Sequence, residues 1–459
     1  MTALFTAAAI VLLVVGSLLF HFLSPWQMTP LASQWEDIDF TVNVTFVVTG
    51  IVFVVLNAFL VFCLWQYRNR PGHKADYDPE NTKLEVILTA ITSVGVAAML
   101  APGLLAWADF VNVPEGARQV EAMGKQWHWS YRFPGEDGEF GDVAVRHASV
   151  DNPFGMDPED PAGQDDVLVM EPILHLAVDE DAHVLLRSTD VLHNFTVPQF
   201  RVKMDLVPGM VTYQWFRPTV AGTYEVLCEE HCGVGHFAMR SKVVVEEQAD
   251  FEAWLDAQPT FADTQARPEG SATAGAATYG VCAACHGTQG EGNEALGAPK
   301  LAGLEGWYIR RQIGKYQNGQ RGAAPQNPGD PVDERGMQMA PMALTLASPA
   351  ALENVIAYID TLPDEAPATT ISGNVDRGAE LYQSCAVCHG REGEGRWNTN
   401  APKLAGRSDW YLASQLTNFK TRARGGHDDD IYGDQMYLIA SSLTTEQAIN
   451  DVIAYINTL

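Results

Sequence analysis

Three uninterrupted apolar runs open the chain, near residues 4–23, 40–65 and 84–107. Each is long enough to cross a hydrocarbon layer about 30 Å thick as a helix. Beyond Trp107 the pattern changes to short stretches rich in Val, Thr, Tyr, Phe and Trp, such as HVLLRSTDV, MVTYQWFRP and GTYEVLCEEHC, broken by Gly and Pro over residues 117–245. Short β-branched and aromatic runs between turn residues predict a β-sandwich. Residues 134–166 are loaded with Gly, Asp, Glu and Pro, the composition of a solvated insertion at one end of that sandwich. Small and polar residues over 258–277 read as a flexible linker, after which helix-forming segments replace strands.

The helical part is an internal repeat. CAACHGTQGEGN…GAPKLAGLEGWYIRRQ from Cys282 matches CAVCHGREGEGR…NAPKLAGRSDWYLASQ from Cys385, an offset of 103 residues. The endings match as well, LENVIAYIDTL from Leu352 against INDVIAYINTL from Ile449, where the offset is 97. Two copies of one domain follow, the second shorter in its middle.

Charge fixes orientation and partners. Arg68, Arg70, Lys74 and Lys83 lie between the second and third apolar runs, whereas Glu36, Asp37 and Asp39 precede the second. By the positive-inside rule, 67–83 is cytoplasmic and everything after Trp107 lies outside the cytoplasm. The first run could serve as a signal peptide, but it lacks a charged leading region and is long for one, so it reads as a retained helix. A formal net charge of −28 over 459 residues repels nucleic acid and suits a cationic protein partner.

Six of the seven cysteines fall in close pairs, and Cys63, inside an apolar run, takes no role. In each repeat C-x-x-C-H places two thiols to capture haem vinyl groups and an imidazole to reach the iron. Cys282, Cys285 and His286 form one such set; Cys385, Cys388 and His389 form the other. A distal methionine would raise the potential and suit electron transfer. Setting MAPMALTL against MYLIASSL leaves Met339 and Met436 as the one pair common to both copies, with Met337, Met342 and His427 as alternatives. In the sandwich, CEEHCGVGHFAM packs Cys228, Cys232, His236 and Met239 into twelve residues, and STDVLHNF adds His193. Thiolate, imidazole and thioether ligands suit copper, and a second thiolate allows two coppers to be bridged.

Residues 188–193 and 228–239 resemble the S-x-D-V-x-H and C-x-E-x-C-x-x-x-H-x-x-M motifs of the subunit II family of cytochrome c oxidases. The resemblance implies that Cys228 and Cys232 bridge a binuclear copper A centre, with His193 and His236 as terminal ligands and Met239 as a weak one. It also implies that Glu230 supplies its carbonyl, and that its carboxylate reaches a magnesium or manganese ion shared with the catalytic subunit. GKQWHWSYRF resembles the family's aromatic segment, in which Trp127 would pass electrons into the copper; core packing is the other reading of Trp127 and Trp129. NTKLEVILT resembles the segment whose glutamate, here Glu85, lies at the mouth of a proton pathway. The chain departs from the family at His231, read as non-ligating, and at Leu88.

The resemblance implies a multidomain chain: a membrane anchor (1–115), a cupredoxin-like β-sandwich holding the copper (116–248), a linker (249–272), an all-α class I-like cytochrome c domain (273–362), a linker (363–373) and a second cytochrome c domain (374–459). Such a chain is subunit II of a caa-type haem-copper cytochrome c oxidase. Electrons would pass from two covalent c haems to copper A and on to haem a in subunit I, which also holds copper B, for oxygen reduction coupled to proton translocation. Expected partners are subunit I, subunit III, membrane lipid, and cytochrome c or a quinol-oxidising complex as donor. The expected location is a bacterial inner membrane, with the copper and haem domains on the periplasmic side. The competing readings are a membrane-tethered multi-haem carrier and the electron-accepting subunit of a nitrogen-oxide reductase.

Overall fold

The computed structural model describes residues 2–26, 28–70, 72, 74, 79–324 and 331–459, so part of the 67–83 loop lies outside the described residues. Among the described residues three helices are long and apolar enough to cross a membrane. They are α1 (Thr2–Leu23), α2 (Glu36–Gln66) and α3 (Thr82–Val111). Helix α2 starts ahead of its apolar run because Glu36, Asp37 and Asp39 occupy its first turn, where carboxylates meet the positive end of the helix dipole. Asn81 caps α3 by accepting the Leu84 amide at 3.1 Å.

Ten strands build a sandwich of two five-stranded sheets. The strands are β1 (Arg118–Lys125), β2 (His128–Phe133), β3 (Val167–Val169), β4 (Ile173–Ala177), β5 (Ala182–Ser188), β6 (His193–Val197), β7 (Val202–Leu206), β8 (Thr212–Phe216), β9 (Gly222–Leu227) and β10 (Arg240–Glu246). One sheet runs β3-β2-β1-β5-β8 and the other β4-β10-β9-β6-β7. Alternation along β5 and β10 turns one row of side chains inward, where Val184, Leu186, Val243 and Val245 meet Trp129, Tyr131 and Phe195. The sandwich sits on the α2 start and the α3 end. Trp35 packs edge-on against Trp215 at 4.9 Å, Arg201 forks onto Asp39 at 2.6 and 2.9 Å, and the Tyr213 hydroxyl donates to the Val111 carbonyl. The basic residues flanking 67–83 therefore lie at the opposite ends of these helices.

Two segments are more ordered than their composition predicts. The insertion 134–166 is anchored rather than merely solvated: Phe154 and Met156 form a small core with Met123, Leu168 and Phe261. Beneath it the buried Arg132 pairs with Glu121 and Asp166, both at 2.9 Å, and donates to the Gly141 carbonyl. The linker 249–272 carries α4 (Gln248–Asp256) and α5 (Phe261–Gln265), which pack on the sandwich through the buried Phe251 and Phe261. One buried aromatic in each helix outweighs the polar background.

The first repeat contains α6 (Ala272–His286), α7 (Gly306–Gln317), α8 (Glu334–Ala343) and α9 (Pro349–Ile359); the second contains α10 (Val375–His389), α11 (Asp409–Lys420), α12 (Ile431–Ser441) and α13 (Glu446–Ile456). First and last helices of each repeat cross closely at a glycine. A Cβ on Gly275 would lie 1.9 Å from the Asn354 carbonyl oxygen, and one on Gly378 2.0 Å from that of Asp451. Gly378→Val is therefore expected to destabilise the cytochrome region by about 3 kcal/mol, seen as a lowered thermal midpoint. Gly280→Ala, where a Cβ meets open space, should leave the midpoint unchanged or raise it.

The repeats face each other across reciprocal contacts. Arg321 donates to Gln312 (2.9 Å), Gln415 (3.2 Å) and Tyr411 (3.3 Å); Arg424 donates to Gln415 (2.8 Å), Gln312 (2.9 Å) and Tyr308 (3.0 Å). Each of these residues has its counterpart 103 positions away, so the interface is a pseudo-two-fold. The segment between repeats is clamped where Asp364 pairs with Lys300, Lys403 and Arg407.

Candidate functional site

The loop 228–239 joins β9 to β10 and is closed at its base by the Leu227–Arg240 pair and a Cys228 amide to Met239 carbonyl bond of 3.4 Å. His193 begins β6, the neighbour of β9 in the same sheet. This topology gathers six donor atoms. Cys228 Sγ lies 3.8 Å from Cys232 Sγ, 4.0 Å from His193 Nδ1 and 3.3 Å from the Glu230 carbonyl oxygen. Cys232 Sγ lies 3.5 Å from His236 Nδ1 and 3.8 Å from Met239 Sδ. His193, Cys228, Cys232 and Met239 are buried. Two central sulfurs flanked by an imidazole on each side, with a thioether and a carbonyl beyond, form a donor set suited to two soft metal ions.

Electrostatics divide the thiols. The hydrogen bond between the two sulfurs drives Cys228 well below the ordinary thiol range and leaves Cys232 above it. The other nitrogen of His193, Nε2, hydrogen-bonds to Asp190 at 2.8 Å, turning Nδ1 toward the sulfurs. Burial opposes ionisation of Asp190, but the bonds from His193 and from the Gln126 and Val191 amides hold its carboxyl below the usual range. Asp190→Ala is expected to weaken copper binding roughly 10–100-fold, measured by competition with a chelator.

Trp127 is 4% exposed and lies against the ligand loop. Its indole N–H donates to the Cys232 carbonyl at 3.3 Å, beside a 2.7 Å bond from the Gln126 amide to the same oxygen. Gly235 permits this approach, since a Cβ there would come within 2.4 Å of the ring. Trp129 is core, edge-on to Phe195 at 5.6 Å. Glu230 is half-buried, and the exposed His231 stands with its ring 5.6 Å from that of His236 without joining the sulfurs. Glu85 stands apart, in the first turn of α3, about 40 Å along the helix from its junction with the sandwich.

In the repeats, His286 and His389 end α6 and α10, and each donates Nδ1–H to a proline carbonyl, Pro299 and Pro402, at 2.8 Å. That bond leaves Nε2 free as a ligand, and burial lowers both pKa values. Cys282 and Cys385 pack on the cores of their own repeats; Cys285 is exposed, and Cys388 packs against the sandwich core. Asp333 caps α8 through the Gly336 amide, and Asp430 caps α12 through that of Gly433, which sets Met339 and Met436 at one structural position. Met339 packs on the same core as Cys282, whereas Met337 and Met342 are 40% and 37% exposed. Met436 is half-buried, and His427 faces Asp429.

Several residues at this junction escape sequence reasoning. His128 is buried, bonded to the Met170 carbonyl at 2.9 Å and stacked on Tyr432 of the second repeat. Gln435, next to Met436, donates to the Trp127 carbonyl. No spacing marks such contacts, because their partners lie some 300 positions apart in sequence.

The family described as cytochrome C oxidase subunit II, periplasmic domain, matches residues 118–247, and the cytochrome c family matches 272–363 and 375–459. An alternative cytochrome c oxidase subunit 2 of Bradyrhizobium diazoefficiens is 52% identical over 261 residues, spanning 57% of this chain and 94% of the relative. A cytochrome c oxidase subunit 2 of Cereibacter sphaeroides is 26% identical over 236 residues, 50% of this chain and 77% of the relative. Among solved structures, the periplasmic domain of subunit II of cytochrome oxidase from Bradyrhizobium japonicum is 29% identical, covering 32% of this chain and 95% of that one with a TM-score of 0.23. Reduced cytochrome c4 from Pseudomonas stutzeri is 28% identical, covering 41% of this chain and 99% of that one with a TM-score of 0.33. A relative matched at half identity over nearly its whole length places this chain in the cytochrome c oxidase subunit 2 family, the electron-transferring subunit of a haem-copper oxidase, with two cytochrome c domains joined behind it.

Proposed function

We propose that the chain accepts electrons on two covalent c haems and delivers them through a binuclear copper centre to haem a of subunit I, where oxygen is reduced. The observation that carries this reading is the convergence of Cys228, Cys232, His193, His236, Met239 and the Glu230 carbonyl around two sulfurs. In that role Cys228 and Cys232 bridge the metals, His193 and His236 end the cluster, and Met239 and the carbonyl complete it weakly. A copper pair so held supplies one-electron storage shared over two ions. Trp127, bonded to the Cys232 carbonyl, carries electrons toward the thiolates.

Cys282, Cys285 and His286 hold one haem with Met339 as distal ligand; Cys385, Cys388 and His389 hold the other with Met436. Arg321 and Arg424, buried between the repeats, would offer positive charge to haem carboxylates. The Glu230 carboxylate shares a magnesium or manganese ion with subunit I, and Glu85 serves the proton pathway at the opposite membrane face. Subunit III and a soluble cytochrome or quinol-oxidising complex complete the assembly, in a bacterial plasma membrane with the copper and haem domains outside the cytoplasm.

Metal and haem stoichiometry with low-temperature EPR on the purified full-length protein tests the reading. Two coppers with a mixed-valence signal and two covalent haems per chain are expected. One copper with a blue-copper signal, or none, would favour a membrane-tethered cytochrome carrier instead.

A further inference from the structure

The two repeats are alike in sequence but not in surroundings, and the difference bears on the order of electron transfer. Helix α12, which carries Met436, packs on the turn His236–Ala238 that bears a candidate copper ligand. From it Gln435 donates to the Trp127 carbonyl, and Tyr432 stacks on His128 at 4.8 Å. Nearby, Lys125 stands over the Trp397 ring at 5.7 Å. Cys388 lies against the sandwich core, whereas its counterpart Cys285 is exposed.

The sharpest contrast is Gln435 against Gln338, which occupies the same place in the first repeat, one residue before Met339. Its one hydrogen bond among the described residues comes from Arg335 of its own helix. The hydrogen bonds of the first repeat run instead to the second, through the reciprocal arginine, glutamine and tyrosine contacts, Arg311 on Asn400 and Lys315 on Asp430, while the charges of Arg311 and Lys315 also approach Lys125 and Glu171 of the sandwich. A bonded path thus runs from Met436 through Gln435 to Trp127 and, by the indole, to Cys232. Electron tunnelling decays steeply with distance, and more slowly through bonds and hydrogen bonds than through space. Trp127, 4% exposed, offers almost no surface to a free donor.

Resting on the copper and haem reading above, we propose that the second repeat alone hands electrons to the copper, across the Gln435–Trp127 junction, and that the first repeat is the outer acceptor. Each transfer takes one electron from ferrous iron at the His389 site, leaving it ferric, and adds it to the mixed-valence copper pair, leaving both ions cuprous. No bond is made or broken, and the external donor of the oxidase reaction replaces the electron. Gln435 acts here as a positioning residue.

The test uses full-length protein holding copper and both haems, reduced by a flash-generated small-molecule reductant while haem and copper absorption are followed. Gln435→Leu and Tyr432→Leu are each expected to slow copper reduction several-fold, with copper EPR and haem content unchanged. Gln338→Leu is expected to leave that rate at the parent value. Should Gln435→Leu lose copper, Tyr432→Leu carries the comparison. Unchanged rates in both junction variants, or an equal slowing in Gln338→Leu, would overturn the proposal. A parent protein without a mixed-valence signal would instead overturn the copper reading, and this order with it.

Discussion

Cys232→Ser is expected to abolish the mixed-valence copper signal while both c haems remain attached. Cys232 Sγ is the atom nearest to His236 Nδ1 and Met239 Sδ, and with Cys228 it spans the centre of the donor set. A serine hydroxyl is hard and stays protonated, so it cannot bridge soft metal ions. What remains is one thiolate, two imidazoles and a thioether, the donor set of a single blue-copper ion. The loss in copper affinity should exceed the roughly 10–100-fold expected for a residue one shell further out, such as Asp190. Cys282 and Cys385 pack on the cores of their own repeats, and Cys388 only borders the sandwich core, so the haem attachments should not respond. Copper analysis, EPR and the haem spectrum of one sample decide it: two coppers with an unchanged signal would remove Cys232 from the site.

The sequence carried the parts of this protein whose physics is local. Apolar run length announces the three spans, β-branched runs announce the sandwich, and ligand spacing within 228–239 announces the copper loop, because each depends on residues close together in the chain. The repeat offset singles out Met339 and Met436, and the two aspartate-capped helices later set both at one structural position. Segment 249–272 was less legible. Its composition is polar, and its helices are held by a few apolar residues, Phe251 with Trp254 in one and Phe261 in the other, whose partners lie on distant strands. The insertion 134–166 hid its anchor for the same reason: Asp166 matters through the buried Arg132, and a pairing at that separation leaves no periodic trace. Least legible was the junction of second repeat and sandwich. Tyr432, Gln435 and Trp397 look like ordinary helix and loop residues until the fold brings His128, Trp127 and Lys125 beneath them.

That junction also explains why the ionisable groups there are unusual. Lys125 is lowered to about 8, first by burial and then by Arg311, and His128 falls well below its ordinary value, first by burial and then by Lys125. Burial is the first cause of both shifts, and the contact combines the stack of His128 on Tyr432 with Lys125 over the Trp397 ring.

Met436→His is expected to lower the potential of one haem and leave the other in place. A thioether ligand raises the potential of haem iron, and axial ligands as a class move it over about 0.8 V. Replacing the thioether by an imidazole should shift the second haem downward by on the order of 0.1–0.3 V. Even about 0.1 V is roughly fiftyfold in a one-electron equilibrium, enough to make electron acceptance at the His389 site unfavourable and so to leave less reduced haem there to supply the copper. A redox titration of the two haems should then show one unmoved wave and one displaced, and Met339→His should displace the other. If Met436→His moves neither wave, the distal ligand lies elsewhere on α12 or the loop before it, where His427 is the nearest imidazole in sequence. If Met339→His and Met436→His displace the same wave, the two methionines do not serve separate irons, and the equivalence drawn from Asp333 and Asp430 fails as a guide to ligation. A displaced second wave together with slowed copper reduction would tie the potential at the His389 site to the flow of electrons through the copper.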